Sequence, residues 1–76
     1  MKELLKYILS LIVDHKDKIK IEERPFGENM VQYIITTESS DMGKVIGKEG
    51  KIIQAIRNVA RILAIKEGKQ IRIEIA

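Results

Sequence analysis

Apolar side chains recur at helical spacing from the start of the chain. Leu4, Ile8, Leu11 and Ile12 share a stripe that Lys2, Glu3 and Lys6 avoid, which predicts an amphipathic helix over about residues 2–14. The period then changes. "KIKIEER" (Lys18 to Arg24) alternates, with Ile19 and Ile21 on one side, and reads as a strand. "PFGEN" (Pro25 to Asn29) has turn chemistry: a proline of fixed φ, then Gly27 and Asn29, which tolerate positive φ. "MVQYIITT" (Met30 to Thr37) is rich in β-branched and aromatic residues and predicts a second strand. It is apolar on both faces at Ile34 and Ile35, so a central place in the sheet is expected.

"ESSD" (Glu38 to Asp41) offers helix N-caps, and "MGKVI" is then long enough for about two turns of helix, ended by glycine. Lys51 to Lys66 reads as a long helix. Ile52, Ile56, Val59 and Leu63 make its expected core stripe, extended on one side by Ile53, Ala60 and Ala64. Gly68 stops it, and "QIRIEI" alternates as a last strand with Ile71, Ile73 and Ile75 inward. The order is α-β-β-α-α-β, an α+β fold. A two-helix crossover joins the second and third strands, so they are expected to be parallel, in a mixed three-stranded sheet, with a right-handed crossover. Both long helices are expected on one face of that sheet.

A length of 76 residues predicts one domain with a thin core. There is no cysteine and one histidine, His15, which excludes disulfides, thiolate metal sites and multi-histidine sites. No cofactor is expected. No apolar run reaches membrane-spanning length, and the N-terminus lacks the features of a signal peptide; the expected location is the cytoplasm. The net charge is +3, unevenly spread: residues 1–40 carry six Lys or Arg against seven acids, and residues 41–76 carry eight against four. From Met42 to Leu63 the only acid is Glu49. A basic half beside a neutral one points to a polyanionic partner on one face, or to a solubilising surface.

"VIGKEGK" (Val45 to Lys51) lies in that basic half. It does not fit a nucleotide-binding P-loop, which needs four residues between its glycines, then Lys and a hydroxyl; Gly47 and Gly50 have two between them, and Ile52 follows Lys51. A flexible linker would not sit between Ile46 and the Ile52–Ile53 pair. A tight corner between two helices fits better. Glycine there allows positive φ and lets another backbone approach, and the first N–H groups of the long helix face outward at the same place and attract anions. Lys48 and Lys51 add charge.

These residues carry a resemblance. "VIGKEGKIIQAI" (Val45 to Ile56) matches the K-homology (KH) motif V-I-G-x-x-G-x-x-I-x-x-I at every fixed position: Val45, Ile46, Gly47, Gly50, Ile53 and Ile56. The element order resembles the type II KH arrangement. Over its whole length the chain resembles the small stand-alone KH proteins of the bacterial KhpA family. The resemblance implies a GxxG loop that clamps the backbone of about four nucleotides of single-stranded RNA, and pairing with itself or with another KH-containing protein. It implies an RNA site of Lys44, Ile46, Gly47, Lys48, Glu49, Gly50, Lys51 and Ile53, with Ile46 and Ile53 flooring the groove. Arg57 is a further candidate for phosphate contact or an ordinary solvated cation. Glu49 departs from the family's preference for a basic or neutral residue in the loop and weakens the local field.

No nucleophile–base pair or carboxylate pair supports an enzyme. Two other readings stay open: a protein-interaction module with little RNA binding, and a binder of single-stranded DNA. Ile62 and Ile65 lie beyond the core stripe of the long helix and are candidates for a dimer interface.

Overall fold

A computed structural model describes residues 1–76. Its main elements are α1 (Lys2–Ser10), β1 (Lys20–Pro25), β2 (Met30–Thr36), α2 (Met42–Ile46), α3 (Lys51–Lys66) and β3 (Gln70–Ile75). Short 3-10 turns at Lys16–Lys18, Ser39–Asp41 and Lys48–Gly50 link them. This is the α-β-β-α-α-β order of the type II KH fold.

The sheet runs β1-β2-β3, with β2 in the centre. β1 pairs antiparallel with β2, setting Ile21 against Ile35. β3 pairs parallel with β2, setting Tyr33 against Ile73. Alternation puts these four residues on one face, where they join Leu5, Leu9, Val45, Ile53, Ile56 and Ala60 in a single core. The opposite face carries Lys20, Glu22, Arg24, Gln32, Thr36, Gln70, Arg72 and Glu74, with Met30 and Ile34 as its apolar residues. All helical core residues therefore pack on the first face. Pro25 falls inside β1 instead of the turn, which an edge strand tolerates because no ladder bond is lost. Buried Tyr33 finds its polar partner by donating its hydroxyl to Glu23 Oε1 at 3.0 Å.

α1 is shorter than its pattern predicts. It ends at Ser10, whose hydroxyl bonds the Tyr7 carbonyl at 2.6 Å. The chain continues in a looser turn, with the Ile12 and Val13 N–H groups both on the Leu9 carbonyl. The core stripe also differs. Leu5 and Leu9 are fully buried, whereas Leu4 and Leu11 are 37% and 69% exposed. α3 shows the same shift. Ile53, Ile56, Ala60 and Ala64 are buried, while Ile52 and Val59 are exposed. Both helices are apolar over more than one stripe, and period alone does not say which stripe meets the sheet. In α3 the small side chains decide it, because Ala60 and Ala64 let the helix axis come closer to the strands than a stripe of Val59 and Leu63 would.

The end of α3 is well defined. Gly68 has φ 72, the Lys69 N–H bonds the Ala64 carbonyl, and the Gly68 N–H bonds that of Ile65, which together make a Schellman cap. The start of α2 is not as predicted. None of Glu38 to Asp41 gives a side-chain cap, and the Asp41 carboxylate is used elsewhere.

Candidate nucleic-acid interface

Gly47 ends α2 at φ 76, ψ 174, with its N–H on the Gly43 carbonyl at 2.8 Å. Glu49 follows at φ 57 and Gly50 at φ 74, and α3 starts at once. Three of four loop residues therefore sit at positive φ, and one of them is not glycine. The two glycines serve different ends. A Cβ on Gly47 would lie 2.2 Å from Ile52 Cγ1 and 2.8 Å from Ile52 Cβ; a Cβ on Gly50 would meet nothing within 4 Å. Gly47 is needed for helix packing, while Gly50 leaves open space beside the first turn of α3. Neither the Lys48 nor the Glu49 N–H bonds a carbonyl of the chain. Two free donors, the positive end of α3 and open space converge, which is the chemistry of an anion site.

Lys48, Glu49 and Lys51 are exposed at this corner and form no ion pair. Ile46 is 37% exposed beside the loop, whereas Ile53 is 6% exposed and belongs to the core. Arg57 is half-buried; its Nε donates to the Ile73 carbonyl at 3.2 Å, bracing α3 against the outer edge of β3. It lines a cleft of about 360 Å³ with Arg61, Ile71, Arg72, Ile73 and Glu74. Arg61 and Arg72 are absent from the sequence-predicted set. The alternation of "QIRIEI" put Arg72 outward, but only the strand order shows that β3 is an edge strand beside α3. The Arg72 guanidinium stands 5.6 Å above the Phe26 ring, a cation–π contact. The cleft thus carries three cations and one acid, and it adjoins the helix whose N-terminus bears the loop.

Lys44 is placed differently from its sequence expectation. Its Nζ is paired with the Asp14 carboxylate and lies 3.9 Å from Asp41 Oδ1. Asp41 is buried, and its oxygens accept from the Asp14 N–H at 3.2 Å, the His15 N–H at 2.9 Å and His15 Nδ1 at 3.0 Å. This carboxylate holds the α1–β1 connection against the start of α2. Burial pushes the Asp41 carboxyl up, but the hydrogen bonds from His15 and Asp14 outweigh it and leave the group below its ordinary value. The same bond from the other side raises His15.

A pH dependence follows from this pair. His15 is raised above 6.5 in the fold, so its protonated form favours the native state. That contribution is complete below about pH 6.5 and is lost as pH rises through the raised value. Asp41 is lowered below 3.8, so its contribution is present above that value and lost as pH falls through the lowered one. Stability from the pair is therefore greatest between about pH 3.8 and 6.5. Urea unfolding at pH 6 and pH 8.5 should show a lower midpoint at the higher pH. In His15→Gln that difference should shrink, and a parent-like pH dependence in the variant would refute the assignment.

Ile62 and Ile65 are 65% and 66% exposed. At 100° per residue they are about 60° apart, and their surroundings differ. Ile65 lines a hollow with Arg61, Lys69, Gln70 and Ile71. Ile62 falls with Ile52, Ala55, Val59 and Leu63 in an arc of about 100° that the sheet does not cover, apolar but for Lys66 at its C-terminal end. Leu4, Tyr7 and Leu11 of α1 are exposed as well. Met1, Leu4 and Leu63 line a hollow between the two helices, with Lys66 and Glu67 at its charged end, so the two apolar surfaces adjoin there. No helix is long and apolar enough to cross a membrane.

The chain compares closely with known proteins. The family model "KhpA/KhpB, KH domain" matches residues 2–75. "RNA-binding protein KhpA" of Clostridium perfringens is 41% identical over 75 residues, covering 99% of each chain. The proteins of the same name from Halalkalibacterium halodurans and Chlamydia trachomatis are 35% and 37% identical, covering 99% of this chain and 97% and 95% of theirs. No solved structure gives a significant match. With the type II element order, the GxxG corner and a match that spans nearly every residue, the chain belongs to the KhpA/KhpB family of KH-domain proteins.

Proposed function

We propose that residues 1–76 form one KH domain that binds single-stranded RNA and clamps its phosphate backbone at Gly47–Lys51. The observation that carries this reading is the loop itself: the free N–H groups of Lys48 and Glu49, at the start of α3, beside the open space left by Gly50. Lys48 and Lys51 supply mobile charge, and the Arg57–Arg61–Arg72 cleft takes the strand onward along α3 and β3. The names of the relatives, RNA-binding proteins, agree with it. The proposed role is that of a cytoplasmic post-transcriptional regulator or RNA chaperone, without catalysis. The test is direct titration of unstructured RNA and DNA oligonucleotides of one sequence, with the parent and with Lys48→Asp/Glu49→Asp. Equal binding to DNA would make the domain a general single-strand binder; no binding to either would leave a protein-interaction module.

The uncovered apolar arc favours a second feature. We propose that Val59, Ile62 and Leu4 pack against the same surface of a second copy in a two-fold dimer. The arc lies on the side of α3 away from the cationic cleft, so pairing leaves both RNA surfaces free and adds avidity. The parent should sediment as a dimer at high micromolar concentration, and Val59→Lys/Ile62→Glu as a monomer. A monomeric parent ends the homodimer and leaves a second KH-containing protein as the partner for this face.

A further inference from the structure

Lys44 is the one cation of α2 and lies three residues before Gly47, within a lysine side chain's reach of the loop. It is not free: Asp14 and Asp41 both face it. The two acids are not equivalent. Asp41 is buried and fixed by three donors from Asp14 and His15. The Asp14 side chain is 70% exposed, and Lys44 is its one partner. The Asp14 backbone N–H, not its carboxylate, ties the α1–β1 connection to Asp41. The carboxylate is thus dispensable for that tie, yet it occupies the cation nearest the loop on α2.

We propose that the Asp14 carboxylate is an internal competitor for RNA phosphate at Lys44 and limits the affinity of the loop; this rests on the clamp reading above. A phosphate reaching Lys44 must displace Asp14. An exposed ion pair is weak, worth a factor of about 1.5 to 5, so the brake is mild and a strand of sufficient charge overcomes it. Asp41, 3.9 Å from the ammonium, is buried and held by its own donors, so Asp14 is the acid that a phosphate would replace.

The test is a double-mutant cycle. A short unstructured RNA is titrated with the parent, Asp14→Asn, Lys44→Gln and the double variant, with circular dichroism checking each fold. Asp17→Asn controls for net charge, because Asp17 makes the same charge change nearby without an ion pair to Lys44. Asp14→Asn should bind about 1.5- to fivefold more tightly, Asp17→Asn should tighten far less, and Lys44→Gln should cost the Asp14→Asn protein more than it costs the parent. The inference is overturned if Asp14→Asn binds as the parent does, if Asp17→Asn tightens as much, or if Lys44→Gln costs the same in both backgrounds. Failure of the clamp reading looks different: Lys48→Asp/Glu49→Asp would then bind like the parent. A clamp variant that loses RNA beside an Asp14→Asn protein of parental affinity removes the competitor alone.

Discussion

Gly47→Ala should lose a large share of the stability of the fold, although the loop lies at the surface. A Cβ there would fall 2.2 Å from Ile52 Cγ1, 2.8 Å from Ile52 Cβ and 3.0 Å from the Ile52 N. The Cγ1 can rotate away, but the Cβ and N are fixed by the start of α3. The backbone at φ 76, ψ 174 is also in a region that essentially only glycine adopts, at a cost of about 1–3 kcal/mol. Forced overpacking adds about 1–3 kcal/mol. A chain of 76 residues has about 4–11 kcal/mol to lose. A loss of about 3 kcal/mol lowers the thermal midpoint by roughly 12–24 °C. Gly50→Ala is the matched control. It meets open space and carries only the left-handed penalty, about 1–2 kcal/mol, so it should stay folded at room temperature. Thermal unfolding of both proteins decides the matter; equal midpoints would mean that the two glycines do not divide their work as described.

Lys48→Asp/Glu49→Asp should do the reverse, keeping the fold and losing the RNA. Both side chains are exposed and neither has a partner to abandon. Acids at the first turn of a helix suit its dipole. Asp also occupies the positive φ of position 49 more readily than Glu does. Binding is another matter. Lys48 would be replaced by a carboxylate where a phosphate must sit, and its attraction would become repulsion. The affinity should fall at least tenfold, equivalent to about 1.4 kcal/mol, with an unchanged dichroism spectrum and melting point. A variant that folds and binds as the parent does would dismiss the clamp.

Much of this was readable in the sequence, and what was not has common causes. The bounds of α3 were legible because Gly50 directly precedes it and Gly68 follows two residues after Lys66. The central place of β2 was legible in Ile34 and Ile35, and the parallel pairing in the length of the crossover. The GxxG corner stood out because every fixed motif position is filled. The choice of buried stripe was not legible. Leu4 and Leu5 are adjacent, as are Ile52 and Ile53, and each pair offers two helical faces that only packing against the sheet distinguishes. The fate of Asp41 was hidden as well. Its pattern fits an N-cap, but its partners lie 26 and 27 residues earlier. Lys44 meets Asp14 across 30 residues, so its charge looked available when it was not. Arg61 and Arg72 come together only because the last strand lies at the sheet edge beside α3.

The parallel pairing of β2 with β3 also sets an order on the folding reaction. β1 and β2 are joined by a tight turn and can close as a hairpin within microseconds. The other edge of β2 must wait until the whole stretch from Thr37 to Lys69 has turned back on itself, a slow, non-local step. During that wait the hairpin presents "VQYIIT" (Val31 to Thr36) as an open edge, with no charge, proline or glycine in it. Such a segment invites pairing with another chain. The crossover that shields it is the segment bearing the GxxG corner. The time that this long crossover takes to dock therefore sets how long each new molecule remains open to aggregation.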